Sequence, residues 1–210
     1  VTPPAGAEAL ARARNAWAKG DFDIAEPLFK KAILAGGLSR EDVVDAYVHV
    51  GATRAIMGKL KPALEAFRSA AIIDLEFAVP PEAGKKATKL ANQAKKEKLR
   101  FGALSFTADL PTTVDAGSRL GIDAKLDGAH VAAITKVRLV VRDPLTAKSY
   151  TASEPPSAVM HFDVPTNLTL PNASLMVHLD ALDGHDNRLA STEGKITVGT
   201  AAAAVANGST

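Results

Sequence analysis

The chain has 210 residues, 47% of them hydrophobic but only 5% aromatic, and a formal net charge of +2. That length suits two domains of about 100 residues, each burying a modest core, and the apolar content excludes a disordered chain. The absence of cysteine excludes disulfides, Cys nucleophiles, thiolate zinc sites and iron–sulfur clusters, and no apolar run reaches the roughly 18 residues that a membrane span requires.

The chain opens at Val1-Thr2-Pro3-Pro4 without Met and shows no signal peptide, which leaves open a lost signal, an anchor or further repeats upstream. Up to about Arg100 the apolar residues recur at helical spacing. Leu10, Ala13 and Trp17 share a face, as do Ile24, Leu28 and Ala32, then Val44, Val48 and Gly51, then Leu64, Phe67 and Ala71. Breakers at Lys19-Gly20-Asp21, Gly36-Gly37-Leu38-Ser39, Gly58-Lys59 and Val79-Pro80-Pro81 divide this stretch into four helices and a fifth. Ser39 followed by Glu41 and Asp42 starts the third helix, and Pro81 beside Glu82 starts the fifth.

Charge is unevenly placed. Residues 1–102 carry 17 Lys/Arg against 12 Asp/Glu, whereas residues 103–210 carry 8 against 11. The excess sits in the helix from Glu82 to Arg100, so the protein has one basic helix and is not basic overall. Its Lys85, Lys86 and Lys89 are candidates for meeting an anionic partner such as phospholipid or an acidic protein face, against the plainer reading of a solvated outer face. A membrane is expected only weakly through this helix or through a segment outside this chain. No aromatic residue interleaves with the lysines, which argues against base stacking and a nucleic-acid partner.

After Phe101-Gly102 the period changes to two. Leu120-x-Ile122-x-Ala124-x-Leu126, Val137-x-Leu139-x-Val141 and Leu175-x-Val177-x-Leu179 alternate with polar or small residues. Further strands are expected over 103–109, 149–152, 159–164 and 195–198, with turns at Asp127-Gly128, Asp143-Pro144 and Asp183-Gly184. About seven short strands predict an antiparallel sandwich of immunoglobulin or fibronectin-III type. The expected fold is therefore α+β in two domains. Residues 1–102 form antiparallel helical hairpins with a capping helix, residues 103–198 form the β-sandwich, and residues 199–210 form a flexible tail.

Self-comparison of the helical half reveals a repeat. Ala13/Gly51, Gly20/Gly58, Phe22/Leu60, Ala25/Ala63, Phe29/Phe67 and Ala32/Ala70 coincide in type at a constant offset of 38. This pattern resembles the tetratricopeptide repeat, whose period is about 34 residues, with the extra residues in the Gly36–Arg40 loop. In such a hairpin the small residue lets the helices cross closely, the glycine turns the chain, and the phenylalanine fills the gap toward the next hairpin. Arg12 stands where the family usually has a large apolar residue, and the closing proline is absent. The whole chain is similar to bacterial cell-envelope proteins, well represented in myxobacteria, that join a short tetratricopeptide array and a capping helix to a fibronectin-like sandwich. The hairpin from Leu179 to Asn187 resembles the last hairpin of those sandwiches.

The resemblance implies a concave groove, lined by the first helix of each hairpin, that holds a partner's peptide. By register the lining is Leu10, Arg14 and Trp17 from the first repeat and Val48, Ala52 and Ile56 from the second, with Arg14 and Trp17 as candidate anchors and packing between the hairpins as the other reading of Trp17. The Lys and Asn carboxylate clamp of the chaperone-binding subset is not matched. Asp180, Asp183, His185, Asp186 and Asn187 cluster as possible oxygen ligands, but they lack the EF-hand pattern and read as a hairpin turn, so no metal and no cofactor is expected. His161 and His178 are placed where neighbouring strands could bring them together, yet two histidines alone do not complete a metal site. No Gly-x-Ser-x-Gly, Walker, dinucleotide or His-Glu-x-x-His signature occurs, so the protein is not read as an enzyme. The expected function is a non-catalytic adaptor or scaffold for a protein or peptide partner, in the periplasm or outer cell envelope, with the cytoplasm left open. The alternative is a glycan- or peptidoglycan-binding module centred on the sandwich.

Overall fold

The computed structural model describes residues 4–200; most of the expected tail, residues 201–210, lies outside the described residues. Five helices come first: α1 (Ala5–Ala18), α2 (Phe22–Ala35), α3 (Arg40–Ile56), α4 (Leu60–Ile73) and, after a 3-10 turn over Pro81–Ala83, α5 (Gly84–Leu99). The repeat is visible in the helix ends. α2 and α4 each have 14 residues, and Phe22 and Leu60, which begin them, occupy the same repeat position. Gly20 and Gly58, at φ +78° and +77°, make the turn before each second helix in the left-handed region that favours glycine. The Asp42 N–H donates to Ser39 Oγ at 3.2 Å, the N-cap expected for α3.

Helix packing follows the small residues. Ala13, Ala25, Ala32, Ala63 and Ala70 are buried, and so are Phe29 and Phe67. A Cβ built at Gly51 would lie 2.8 Å from the Phe67 ring, so only glycine admits this phenylalanine against α3. α3 is enclosed by α2, α4 and α5, and α5 covers the end of the array through Ala87, Ala91 and Ala94.

Eight strands follow: β1 (Phe106–Asp109), β2 (Thr113–Val114), β3 (Leu120–Leu126), β4 (Lys136–Arg142), β5 (Ser149–Glu154), β6 (Val159–Val164), β7 (Ser174–Leu182) and β8 (Arg188–Val198). They form a three-stranded sheet in the order β1-β3-β6 and a five-stranded sheet in the order β2-β8-β7-β4-β5. The architecture is α+β, helical hairpins followed by a sandwich-like β region. Leu120, Ile122 and Ala124 of β3 alternate into the core, as do Val137, Leu139 and Val141 of β4 and Leu175, Val177 and Leu179 of β7.

Three details differ from the expected strands. β2 is additional and pairs parallel with β8, Thr113 opposite Thr197; two residues are too short to show alternation. β1 begins at Phe106, not 103, because the Leu104 N–H donates to the Ile72 carbonyl and the Ser105 N–H to the Asp127 carboxylate. β8 begins at Arg188, its first half disguised by the polar run Ser191-Thr192-Glu193.

The chain forms two compact units. One combines the helices, up to Ser105, with Asp127–Lys136 and Ala181–Ala190; the other holds Phe106–Leu126, Val137–Asp180 and the chain from Ser191. Within the first unit, Asn187 ties the 183–187 turn to the helices. Its side chain is fully buried. Its Nδ2 donates to the Ile33 carbonyl at 2.8 Å and to Asp183 Oδ2 at 2.9 Å, while its Oδ1 accepts from the Leu38 N–H at 3.1 Å. The Arg188 N–H donates to the Leu38 carbonyl at 3.0 Å. Both amide hydrogens and the oxygen are thus satisfied. Gly36 packs so closely on this turn that a Cβ there would lie 1.8 Å from the His185 carbonyl oxygen.

Asn187→Ala leaves the Leu38 N–H and the Ile33 carbonyl without these partners. It is expected to lower stability by about 2–4 kcal/mol, since a buried group left unsatisfied costs about 1–3 kcal/mol. Urea titration of the full chain measures it; a loss under about 0.5 kcal/mol, the range of ordinary surface substitutions, rules out the tie.

Candidate functional site

Arg14 projects from α1 across to α3. Its guanidinium donates to Asp42 Oδ1 at 2.9 Å and to Asp45 Oδ2 at 2.9 Å. Asp42, Asp45 and His49 recur at i, i+3 and i+7, so they form one polar stripe on α3. His49 Nδ1 lies 3.0 Å from Asp45 Oδ1 and 2.9 Å from the Asp45 carbonyl. The His49 ring stacks on Phe29, centroids 4.8 Å apart, and meets Trp17 edge-on at 4.9 Å; Trp17 meets Phe22 edge-on at 5.0 Å. A continuous network therefore runs from Arg14 through Asp45 and His49 to the aromatic cluster of the first hairpin. Burial pushes the Asp45 carboxyl up, but the hydrogen bonds and charges of His49 and Arg14 outweigh it and hold Asp45 below the usual carboxylate range.

Beside this network is a cavity of about 240 Å³ whose lining includes Val44, Val48 and Phe77 as apolar wall and Glu41, Asp45 and Asp74 as acids. Arg40 also reaches it, but its guanidinium is held by the Ile73 carbonyl at 2.8 Å. Glu41 and Asp74 have no ion-pair partner among the described residues. The groove thus carries a net negative charge over an apolar floor, with the Glu41 and Asp74 carboxylates against the one Arg40 guanidinium in its lining. A second depression, of about 280 Å³ between α2, α3 and α4, carries Lys30 and Arg54 against Glu65. Its Arg54 is already spent on Glu26 at 2.7 Å and on the Pro62 carbonyl at 3.0 Å. Glu65 is likewise paired, with Arg68.

The six residues expected to line the groove are only partly brought together. Leu10 is 1% exposed and Ala52 0%, so neither offers a contact surface. Leu10 continues the stripe of Gly6 and Ala13 that packs inward, and Ala52 is enclosed because α3 has neighbours on three sides. Val48 is 3% exposed and forms floor, not rim. Trp17 is half-buried in the aromatic cluster. Ile56 is exposed but lies outside the cavity lining. Arg14 is exposed, yet its charge is met by Asp42 and Asp45, so it is not an unpaired anchor for a partner's carboxylate. The residues that carry the site's charge, Glu41, Asp45 and Asp74, were missed by the register; the i, i+3, i+7 stripe on α3 was the signal for Asp45.

Elsewhere, Lys85, Lys86 and Lys89 are exposed on α5. His161 and His178 lie in different sheets and do not meet. His161 pairs with Asp123 at 2.6 Å on the three-stranded sheet, and His178 pairs with Asp180 at 2.8 Å on the five-stranded one. In the 183–187 turn, Asp183 accepts from the backbone N–H groups of His185 and Asn187, at 2.8 and 2.9 Å, so its oxygens are used by the turn itself. No group of three His, Asp or Glu suited to a metal occurs among the described residues. No protein-family model matches the chain, and no curated protein matches it.

Two outcomes follow for the network. Arg14→Ala is expected to cost about 1 kcal/mol in thermal or urea unfolding: two pairs are lost, discounted because the guanidinium is half exposed to solvent. Asp45→Asn is expected to destabilise the chain at pH 6 and to lose that effect on acidification. A depressed carboxylate contributes stability above its ordinary range near pH 4, and the contribution disappears as pH falls through its lowered folded value. Urea titrations of parent and variant from pH 6 to pH 2 should therefore converge at the acid end. A constant gap would show that Asp45 acts through packing alone.

Proposed function

We propose that the protein is a non-catalytic interaction scaffold of tetratricopeptide type, and that the α3 groove holds a short protein segment carrying a cationic side chain beside an apolar one. The observation that carries this reading is the cavity over Val44, Val48 and Phe77, where Glu41 and Asp74 have no ion-pair partner among the described residues and outnumber the one Arg40 guanidinium. A lysine or arginine of the partner would meet these carboxylates while its neighbour covers the apolar floor. Arg14 then acts indirectly, by fixing Asp45 at the edge of the groove. A place in a bacterial cell-envelope assembly rests on the architectural resemblance alone.

Selection of displayed random peptides on the full chain tests the reading. Bound peptides should be enriched in Lys or Arg next to Leu, Val, Ile or Phe, and Glu41→Lys with Asp74→Lys should weaken them at least about tenfold, as the loss of one or two charge-assisted contacts implies. Peptides without basic enrichment, or equal binding by the double variant, would sink this groove as the site.

A glycan-binding reading has one observation in its favour. A cleft of about 330 Å³ in the β region is lined by Tyr150 with Arg119 and Asp163 and by Val164-Pro165-Thr166. The region's other aromatic rings, Phe106 and Phe162, are buried, which leaves Tyr150 as its one stacking platform. Sedimentation with insoluble peptidoglycan, lost on Tyr150→Ala, would favour this reading over the first.

A further inference from the structure

The outward face of α5 is a second surface, independent of the α3 groove. Ala87, Ala91 and Ala94 mark the buried side of the helix. At 100° per residue, Lys85, Lys89, Lys96 and Arg100 fall within about 60° of one another on the opposite side and extend over about 22 Å. No acidic residue shares that stripe. Glu97 lies to one side and is drawn to Arg68, 2.6 Å away, and to Gln93. Lys95 is turned toward the protein body, where it donates to the Phe77 carbonyl at 2.6 Å and stands over the Phe77 ring. The stripe is therefore a row of cations that the unit itself does not neutralise.

At the C-terminal end of this row two large apolar side chains stand in solvent. Leu99 is 68% exposed and Phe101 58% exposed. Phe101 lies under the Arg100 guanidinium, 5.7 Å from its ring centre. Exposed apolar groups of this size gain little from a phosphate backbone, and an acidic protein face would need an apolar patch beside its carboxylates to cover them. They do gain from a headgroup layer, where an aromatic ring and a leucine enter the boundary with the acyl chains while lysines hold the anionic heads. Isolated lysines need no partner, but a one-sided cationic row ending in two uncovered apolar side chains matches the chemistry of an anionic lipid surface.

We propose that α5 docks the protein on anionic bilayers, with Lys85, Lys89, Lys96 and Arg100 on the headgroups and Leu99 and Phe101 in the interface. The attraction is long-range and weakens with salt, because it is screened within about 8 Å at physiological ionic strength.

Co-sedimentation of the full chain with vesicles tests it, using phosphatidylcholine alone and phosphatidylcholine with about 30% phosphatidylglycerol, a strongly anionic surface. Binding is expected only to the anionic vesicles. Lys85→Glu with Lys89→Glu should lower the partition coefficient at least about tenfold, and Leu99→Ala with Phe101→Ala about threefold or more at unchanged charge. All four positions are exposed, so thermal melts should match the parent and confirm that each variant is folded. Failure to bind anionic vesicles overturns the proposal. So does binding that ignores the Leu99 and Phe101 substitutions while duplex DNA of equal charge competes it away, since that marks a polyanion site. The α3 groove is untouched by these variants, so its peptide selection reads out separately.

Discussion

The first helices are held at separations that only alanine and glycine allow, and most features of the helical unit follow from that. With so few aromatic residues, the core between hairpins cannot be filled by rings alone. Ala13, Ala25, Ala32, Ala63 and Ala70 bring backbones together, and one phenylalanine per hairpin, Phe29 or Phe67, fills the remaining space. The missing Cβ of Gly51 is what lets Phe67 lie against α3. A close approach also brings polar groups of different helices within reach. Arg14 of α1 bridges to both Asp42 and Asp45 of α3, which lie one turn apart on the same helix face.

The same constraint explains the loop between hairpins. Gly36 is pressed on the His185 carbonyl, and Asn187 inserts its amide between Ile33 and Leu38, so a turn some 150 residues away closes the first hairpin. Backbone groups at a helix end need partners when they are buried. Here the Ile33 carbonyl, in the last turn of α2, and the Leu38 N–H, just before α3, find them in one side chain. Asn is suited to this because it offers a donor and an acceptor at once, uncharged, so its burial carries no ionic penalty.

What could be read in the sequence depended on range. The repeat is local. Gly20 and Gly58, Ala25 and Ala63, and Phe29 and Phe67 stand at a fixed offset, and helix ends, buried faces and the α5 cap follow from them. Alternation likewise revealed β3, β4 and β7. Long-range pairing left no such trace. Asn187 looked like turn chemistry, which it is, but its bonds to Ile33 and Leu38 have no local signature. β2 is too short for any period, and the parallel match with β8 is set by the far end of the chain. The groove residues failed for a different reason. Family register specifies a helix face but not what covers it, and on α3, packed by α2, α4 and α5, Ala52 is fully enclosed while Glu41 stays exposed.

The cations divide by the contacts they make. Five arginines serve contacts between elements: Arg14 with Asp42 and Asp45, Arg40 with the Ile73 carbonyl, Arg54 with Glu26, Arg68 with Glu97, and Arg138 with Asp180. A planar guanidinium can bridge two acceptors in fixed geometry, which a lysine ammonium on its flexible stem does less well. The lysines of α5 make no such bridge along the outward stripe, and their charge stays available at long range. Acidic side chains sort in parallel. Asp42 and Glu26 are consumed by arginines, whereas Glu41 and Asp74 stay open at the groove. The chain's net charge of +2 conceals a helical stretch, residues 1–102, with 17 Lys/Arg against 12 Asp/Glu, whose excess lies on α5. Salt that screens exposed charges leaves the partly buried arginine pairs, such as Arg54 with Glu26, and the helix contacts they hold much less affected.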